Sequence, residues 1–212
     1  MIHIFLLDDH TLFREGLRSL LDRQTDMRVV GEAETGAEGL RRLRQIEWDV
    51  LILDMSLPDT TGLEVLQHVA SMSGSGKVLV VSMHRETQYA LRCIKAGAHG
   101  YLTKDSAGAE VIEAIRRVRD GGHYVSPELG QAMARLVSGD IGGSRFEGLT
   151  NREYGVFLLI ANGMKRAKIA EKLAISPRTF DGYRRSILDK LGCQSDADLV
   201  RYAAENQILR GN

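Results

Sequence analysis

Over residues 1–121, short apolar runs alternate with stretches whose apolar residues recur at helical spacing. The runs, mostly rich in β-branched residues, are 2–7, 28–30, 50–53, 78–81 and the shorter 100–102. Continuous apolar character is typical of strands that are covered on both faces. One of the helical stretches between them is marked by Leu12, Leu17, Leu20 and Leu21. Five strands alternating with five helices predict an α/β domain with a doubly wound, five-stranded parallel sheet.

The pattern changes after residue 121. Ser126 and Pro127 are suited to the N-cap and first position of a connecting helix, which we expect to run through Val137. A polar, glycine-rich tether follows at 139–144. No strand-like run occurs beyond Leu149, where the helical patterns are 151–162, 165–173, 177–191 and 196–206. The sequence therefore predicts an α/β domain over 1–121, a linker over 122–148 and a small all-α domain over 149–212.

Composition excludes several classes of protein. The 212 residues are 43% hydrophobic and 26% charged, the balance of ordinary globular proteins. No apolar run approaches the roughly 18–20 residues that span a bilayer, and the start lacks the pattern of a secretion signal. Cys93 and Cys193 have no metal-ligand spacing around them and are expected to be reduced thiols. We expect a cytoplasmic protein that does not engage a membrane.

The charges are unevenly distributed along a chain whose net charge is zero. Residues 1–121 carry a net charge of −3, and residues 149–212 carry a net charge of +4. The basic tail suits a polyanionic partner, although a solvated basic face explains four charges equally well.

Polar residues stand where the predicted strands end. In chain order they are Asp8, Asp9, Asp54, Ser82 and Lys104. Because the carboxyl ends of parallel strands share one edge of the sheet, we expect these side chains to converge there. Adjacent carboxylates raise one another's pKa unless a cation neutralises them, and hard oxygen ligands suit Mg²⁺. The sequence therefore predicts an acidic Mg²⁺ pocket.

These residues resemble the receiver domain of bacterial two-component response regulators, which has a flavodoxin-like fold. The further matching features are Pro58, Gly62 and the Tyr101-Leu102-Thr103-Lys104 segment. The resemblance implies that Asp54 attacks a phosphohistidine on a sensor histidine kinase. It also implies that Asp8, Asp9, Asp54 and the backbone carbonyl of Ser56 hold the metal. Lys104 and Ser82 would bind the phosphoryl group, with Tyr101 as the switch aromatic.

An enzyme acting on other substrates is the competing interpretation of this pocket. A phosphatase that passes through an aspartyl phosphate usually needs a second acid two residues after its nucleophile, where this chain has Ser56. The sequence also lacks a phosphate-binding P-loop and the hydrolase and metalloprotease motifs. We therefore expect no enzyme activity beyond self-phosphorylation from phosphohistidine or acyl phosphates and slow autodephosphorylation.

In the tail, the segment 169–176 predicts a helix end, a tight turn and an N-cap at Ser176, before a helix over 177–191. Phe180 and Ile187 belong to its buried stripe. A helix packed on a short preceding helix, with polar residues at its exposed N-terminal half, has the geometry that enters a major groove. The spacing alone fits a four-helix interaction module equally well.

Short sequence segments favour the first interpretation. They are Leu149-Thr150-Asn151-Arg152-Glu153, Ile160-Ala161-Asn162-Gly163, Ile169-Ala170, Ile175-Ser176, Thr179 and Lys190-Leu191-Gly192. They resemble the LuxR-type helix-turn-helix, and with the receiver they resemble the NarL/FixJ class of response regulators over nearly the whole chain. The contacts with promoter DNA that the resemblance implies are Arg178, Thr179, Arg184, Arg185 and Lys190. It also implies a homodimer, favoured by phosphorylation, whose face is formed by the last helix through Leu199, Ala203 and Ile208.

The recognition helix departs from the family at three positions. Where the family usually has Val-Lys and then a histidine, this chain has Phe180-Asp181 and Tyr183. Asp181 either repels DNA phosphates or accepts a hydrogen bond from a cytosine amino group, and we favour repulsion. The function expected is a DNA-binding transcriptional regulator phosphorylated on Asp54. The alternative is a receiver whose tail binds a protein and does not read DNA.

Overall fold

The computed structural model describes residues 1–72, 76–83, 87–106, 108–137, 148–173 and 175–205. The chain divides into two compact units, Met1–Ala134 and Arg135–Asn212. No described helix is both long enough and apolar enough to cross a bilayer. The predicted tether at 139–144 lies outside the described residues.

The first unit alternates strands and helices as the sequence predicts. Its strands are β1 (Ile2–Leu7), β2 (Met27–Ala33), β3 (Val50–Asp54), β4 (Lys77–Ser82), β5 (Gly100–Thr103) and β6 (Tyr124–Val125). The helices between them are α1 (Thr11–Leu21), α2 (Gly36–Leu43), α3 (Gly62–Ala70), α4 (Thr87–Lys95) and α5 (Gly108–Arg119), and α6 (Pro127–Val137) follows the last strand. The expected connecting helix from Pro127 to Val137 is confirmed.

The strands form a parallel sheet in the order β2-β1-β3-β4-β5-β6. The doubly wound architecture is confirmed, but the sheet has six strands in the described residues where the sequence predicted five. The sixth is only two residues long, Tyr124 and Val125 paired with Gly100 and Tyr101, which is too short to produce a recognisable apolar run. Sheet pairing therefore continues beyond Gly121, where the sequence placed the end of the α/β domain.

Helices α1 and α5 pack on one face of the sheet. Buried residues of both helices, including Leu17, Leu21 and Ile115, join strand residues such as Ile4 and Ile52 in one hydrophobic cluster. The continuous apolar runs reflect this burial, because every residue of β3 from Val50 to Asp54 is buried. Asp54, the last residue of β3, is therefore a buried carboxylate at the carboxyl end of a central strand.

The second unit contains four described helices. They are α7 (Asn151–Ala161), α8 (Arg166–Lys172), α9 (Pro177–Leu191) and α10 (Asp196–Glu205), close to the predicted boundaries. Ser176 caps α9 by accepting a hydrogen bond from the Thr179 backbone, with Pro177 at the first position. Gly192 ends α9 in the left-handed conformation, with φ of 68°, which a glycine adopts without strain.

The residues of α10 that we expected at a dimer face are inside the unit. Leu199 and Ala203 have no exposed surface, because α10 packs against α7. Ile208 lies outside the described residues. The expectation was wrong for Leu199 and Ala203, whose helical spacing marks the core-facing side of α10. The large apolar residue that α10 leaves exposed, among those described, is Val200.

Candidate functional site

The acidic residues of the first unit meet at the carboxyl ends of β1 and β3. Asp8 and Asp9 follow β1, and Asp54 is the last residue of β3, which pairs directly with β1. From β1 the chain crosses to β2 on one side, and from β3 it crosses to β4 on the other side. Such switch points are where open α/β sheets bind ligands. The Asp8 and Asp54 residues are 5% and 1% exposed. Two carboxylates are therefore buried at the switch point of the sheet, where ligands of open α/β sheets bind.

Lys104 follows β5 and reaches both of these carboxylates. Its Nζ lies 2.7 Å from Asp8 Oδ2 and 2.9 Å from Asp54 Oδ2, and its side chain is 5% exposed. The Lys104 backbone N–H donates to the Ser82 carbonyl at 2.9 Å, which ties the loop after β5 to the end of β4. The structure thus brings together three of the residues that the sequence predicted at strand ends.

The charge of Lys104 does not compensate the pocket fully. Burial, and next the negative charge of Asp54, raise the pKa of Asp8 above its ordinary value despite the hydrogen bond from Lys104. Asp54 Oδ1 is buried and accepts no hydrogen bond within the described part of the chain. A buried carboxylate oxygen without a partner is costly unless a cation or a donor group occupies the space beside it.

The donor atoms of this pocket fit a divalent cation. Ligand atoms from Asp8, Asp9, His10 and Asp54 lie within 4.8 Å of one another. Three of the four are carboxylates, and Mg²⁺ binds through a few carboxylates while keeping several waters. The predicted acidic pocket is therefore compatible with Mg²⁺ in both chemistry and spacing.

His10 is a member of the pocket that the sequence reasoning missed. Its Nδ1 lies 2.8 Å from Asp9 Oδ1 and 3.3 Å from Lys104 Nζ, and its side chain is 56% exposed. The available signal was its place in the chain, directly after Asp8 and Asp9. His10 lies at the solvent side of the pocket, over carboxylates that are more deeply buried.

Arg14 is a second residue that the sequence reasoning missed. It lies on the buried side of α1, and its Nη1 donates to the Asp8 carbonyl at 2.6 Å. Its Nε donates to Glu32 Oε2 at 3.1 Å, so β2 holds the guanidinium in place. The signal was a charged residue three and seven positions before Leu17 and Leu21 on an otherwise apolar helix face. Arg14 supports the backbone that presents Asp8.

The remaining predicted residues lie along β4, β5 and the loop after β3. Ser82 is buried at the end of β4, beside Thr103 of β5. Tyr101 is buried on β5, which is separated from β3 by β4. Ser56 is half-buried two residues after Asp54. Gly62, at the start of α3, packs so closely that a Cβ there would lie 2.5 Å from Met55 Cα, which explains the glycine behind Asp54.

In the second unit, three of the predicted DNA contacts lie on the open surface of α9. Arg178, Thr179 and Arg185 are exposed, whereas Phe180 and Ile187 are buried on the opposite side of the helix. Lys168 on the neighbouring α8 and Lys165, the N-cap of that helix, are exposed as well, so both helices present cations to solvent. The sequence reasoning did not include the cations of α8.

The two other predicted contacts have partners inside the unit. Lys190 Nζ lies 2.7 Å from Glu153 Oε2, and Arg184 Nε lies 2.6 Å from Asp196 Oδ1. Burial by itself raises the pKa of Glu153, but hydrogen bonds from Lys190, Ser186 and the Thr150 backbone outweigh burial and lower that pKa to about 2. To reach DNA, either cation would have to exchange its carboxylate for a phosphate.

Asp181, the atypical acid of α9, also has a partner. Its Oδ2 accepts a hydrogen bond from Arg166 Nη2 at 2.6 Å, and the two side chains are 48% and 56% exposed. Arg166 is the first residue of α8. The acid therefore forms an ion pair across two neighbouring helices at the surface.

Comparisons with known proteins agree with both halves of this description. Residues 4–116 match the response regulator receiver domain, and residues 147–203 match the bacterial regulatory proteins of the luxR family. Response regulator UvrY of Escherichia coli K12 is 35% identical over 209 residues, 98% of this chain and 96% of that protein. Response regulator GacA of Pseudomonas viridiflava is 34% identical over 210 residues, 99% and 98% of the two chains.

A solved structure resembles the whole chain. The RcsB response regulator of Salmonella typhimurium superimposes with a TM-score of 0.76 at 24% identity, covering 97% of this chain and 98% of that one. At that identity the likeness supports the fold alone. The chain belongs to the two-component response regulators that join a receiver domain to a LuxR-type helix-turn-helix. It is a transcriptional regulator with a DNA-binding domain, not an enzyme in the usual sense.

Proposed function

We propose that Asp54 accepts a phosphoryl group from the phosphohistidine of a sensor histidine kinase. The observation that carries the proposal is the buried Asp54 Oδ1 without a hydrogen-bond partner in the described residues, beside Asp8, Asp9 and Lys104. One Asp54 oxygen forms a bond to phosphorus while the phosphorus–nitrogen bond breaks, and its electron pair stays on the imidazole. The phosphoryl group moves intact, so no oxidant or reductant is needed.

The other residues of the pocket assist by holding charge. Asp8, Asp9, Asp54 and the Ser56 carbonyl would hold Mg²⁺, which when bound neutralises the phosphoryl oxygens. Lys104, already against Asp54, is placed to pair with a phosphoryl oxygen in exchange for the carboxylate. Ser82 would donate a hydrogen bond to the same group, and Tyr101 would change conformation as Ser82 moves.

We further propose that this chemistry serves signalling only. The phosphoryl group is lost slowly from Asp54 to water, which limits the lifetime of the signal and processes no other substrate. The receiver domain would comprise residues 1–121, with its sheet continued by β6 inside the linker region at 122–148, which joins it to the DNA-binding domain at 149–212.

The DNA-binding domain would place α9 in the major groove of promoter DNA, in the cytoplasm. Exposed Arg178, Thr179 and Arg185 support this orientation, and Arg184 and Lys190 remain predicted contacts. Phosphorylation would favour a homodimer and raise DNA affinity together, because two half-sites bound by a dimer reinforce one another. RcsB of Salmonella enterica has been solved bound to a promoter with the phosphomimetic BeF3-, at a TM-score of 0.73 and 23% identity.

The phosphorylation proposal is tested by intact-protein mass spectrometry after treatment with an acyl phosphate and Mg²⁺. The full chain should gain one phosphoryl group, and a chelator or Asp54→Asn should abolish the gain. Asp59→Asn is the matched control, because Asp59 caps the start of α2 from the same loop and lies outside the pocket. A mass gain that persists in Asp54→Asn would show that another residue is the acceptor.

A further inference from the structure

The Arg166–Asp181 ion pair lies beside the exposed cations of α9. Arg178, Asp181 and Arg185 are separated by three and four residues, so they lie along one side of the helix on successive turns. Arg166 comes from the neighbouring helix α8 and is bound to the middle one of these positions. The pair therefore adds a guanidinium to a surface that already carries two arginines.

Folding stability does not account for this pair. Both side chains are about half exposed, at 56% and 48%, and exposed ion pairs contribute little to folding. An unpaired Asp181 would repel the phosphates of DNA, whereas a paired Asp181 has its charge compensated locally. A guanidinium has five N–H donors, and the bond to Asp181 is the contact that Arg166 makes among the described residues. Its other donors remain available to a ligand.

Two properties of the pair favour a phosphate as that ligand. The planar guanidinium is suited to binding carboxylate and phosphate oxygens at once, and a fixed one loses less conformational entropy on binding. The first helix of a helix-turn-helix crosses the DNA backbone while the second reads base edges. Arg166 begins that first helix, and the exposed Lys165 and Lys168 accompany it.

We propose that Asp181 is a positioning residue that holds the Arg166 guanidinium for contact with a DNA phosphate. The acid on the recognition helix then assists binding by fixing a cation of α8, in contrast to the repulsion or cytosine contact expected from the sequence. This inference rests on the proposed DNA-binding function and names a residue, Arg166, that would contact the backbone.

The test measures binding of the phosphorylated full chain to two fluorescent duplexes of equal length over a series of salt concentrations. One duplex carries a sequence selected from a random pool by the wild-type protein, and the other is unselected. Arg166→Ala should weaken binding to both by the same factor and reduce the slope of log affinity against log salt by about 0.9, the value for one phosphate contact. Unchanged affinity or slope would overturn the proposal.

A double-mutant cycle separates positioning from repulsion. Asp181→Ala should weaken DNA binding when Arg166 is present, and should tighten it in the Arg166→Ala background, where the acid has lost its partner. The two effects should differ by at least about twofold, as expected for residues in contact. Equal tightening in both backgrounds would establish simple repulsion and overturn the proposal, as would a loss confined to the selected duplex.

Arg116→Ala is the matched control. Arg116 forms an ion pair of similar exposure with Asp26 in the first unit, with side chains 48% and 43% exposed. This variant should leave both affinities and the salt slope unchanged, and all variants should keep the wild-type thermal midpoint. If the wild-type protein enriches no sequence from the random pool and does not bind the unselected duplex, the DNA-binding function fails, which is distinct from a failure of Arg166 alone.

Discussion

Asp8 of the receiver domain and Glu153 of the DNA-binding domain are both buried carboxylates, yet their pKa values are displaced in opposite directions. Burial and the charge of Asp54 raise the pKa of Asp8. Glu153 is buried to a similar degree, but donors from Lys190, Ser186 and the Thr150 backbone lower its pKa to about 2. The two domains therefore treat a buried acid in different ways.

The opposite pKa shifts of Asp8 and Glu153 distinguish a ligand-binding pocket from a structural ion pair. Every oxygen of the Glu153 carboxylate has a donor, so the acid ties α7 to α9. In the receiver pocket, Lys104 provides one ammonium for both Asp8 and Asp54, and Asp54 Oδ1 has no described partner. A buried polar group left incompletely satisfied lowers stability, and a fold keeps such a group where a ligand completes it.

Glu153→Gln should give the largest loss of stability. The amide weakens the bonds to Lys190 and Ser186 and leaves the Lys190 ammonium without its carboxylate, which should cost about 1–3 kcal/mol in the DNA-binding domain. Hydrogen exchange of peptides from α7 and α9 measures the opening free energy of that domain within the full chain. The control is Glu171→Gln, an exposed acid in the same domain, which should change exchange little.

The same carboxylate predicts a dependence on pH. Because the folded pKa of Glu153 is about 2 and the unfolded value is 4.5, its stabilisation is fully present above pH 4.5 and is lost as the pH falls towards 2. Asp8 has a raised pKa, so its ionisation destabilises the receiver, and lowering the pH through that raised value towards 3.8 should relieve the cost. If both domains lost stability to the same extent as the pH falls, the contrast between Asp8 and Glu153 would be contradicted.

Mg²⁺ should stabilise the receiver and leave the DNA-binding domain unchanged. A cation that binds only the folded pocket adds about 1.4 kcal/mol at ten times its dissociation constant. Trp48, the only tryptophan in the chain, reports receiver unfolding in urea by its fluorescence. Asp9→Asn should reduce the effect of the metal. Equal stabilisation of both domains by Mg²⁺ would indicate an ionic-strength effect.

Asp54→Asn should raise receiver stability without metal, by roughly 1 kcal/mol, because it removes the charge that acts on Asp8. The same fluorescence experiment measures this gain. A variant less stable than the wild type would mean that Lys104 already compensates both carboxylates, which would remove the distinction between the two domains.

Asp26→Asn should have the smallest effect. Arg116 donates to Asp26 at 2.9 Å, and Arg116 is the main cause of the lowered pKa of that carboxyl, but both groups lie at the surface. Exposed pairs of this kind contribute only a small part of the folding free energy, and salt screens them. A larger loss in urea would show that exposure is a poor guide to the value of an ion pair in this protein.

The sequence predicted the sheet of the receiver well because strands covered on both faces leave long apolar runs, as 50–53 does. It also placed Asp8, Asp54 and Lys104 at one edge, since parallel strands end together. Strand β6 escaped prediction because two residues have no periodicity.

Side-chain pairing could not be predicted from spacing. The partners of Asp181 and Lys190, which are Arg166 and Glu153, lie 15 and 37 residues away on other helices. The inward-facing positions of α10 had the same spacing whether they packed on α7 or on a second copy, so Leu199 was assigned to the wrong surface. Periodicity shows which side of a helix is apolar and does not identify what covers it.

The central claim is that phosphorylation of Asp54 in an incompletely neutralised pocket controls DNA binding by the second domain. A ligand or modification shifts such an equilibrium only through its different affinity for the two states. The most direct measurement is the affinity of a fluorescent promoter duplex for wild-type protein with and without an acyl phosphate and Mg²⁺, beside Asp54→Asn under the same conditions. We predict that phosphorylation raises dimer population and DNA affinity together in the wild type and changes neither in Asp54→Asn. Equal affinity of the phosphorylated protein and Asp54→Asn would show that the two domains are uncoupled.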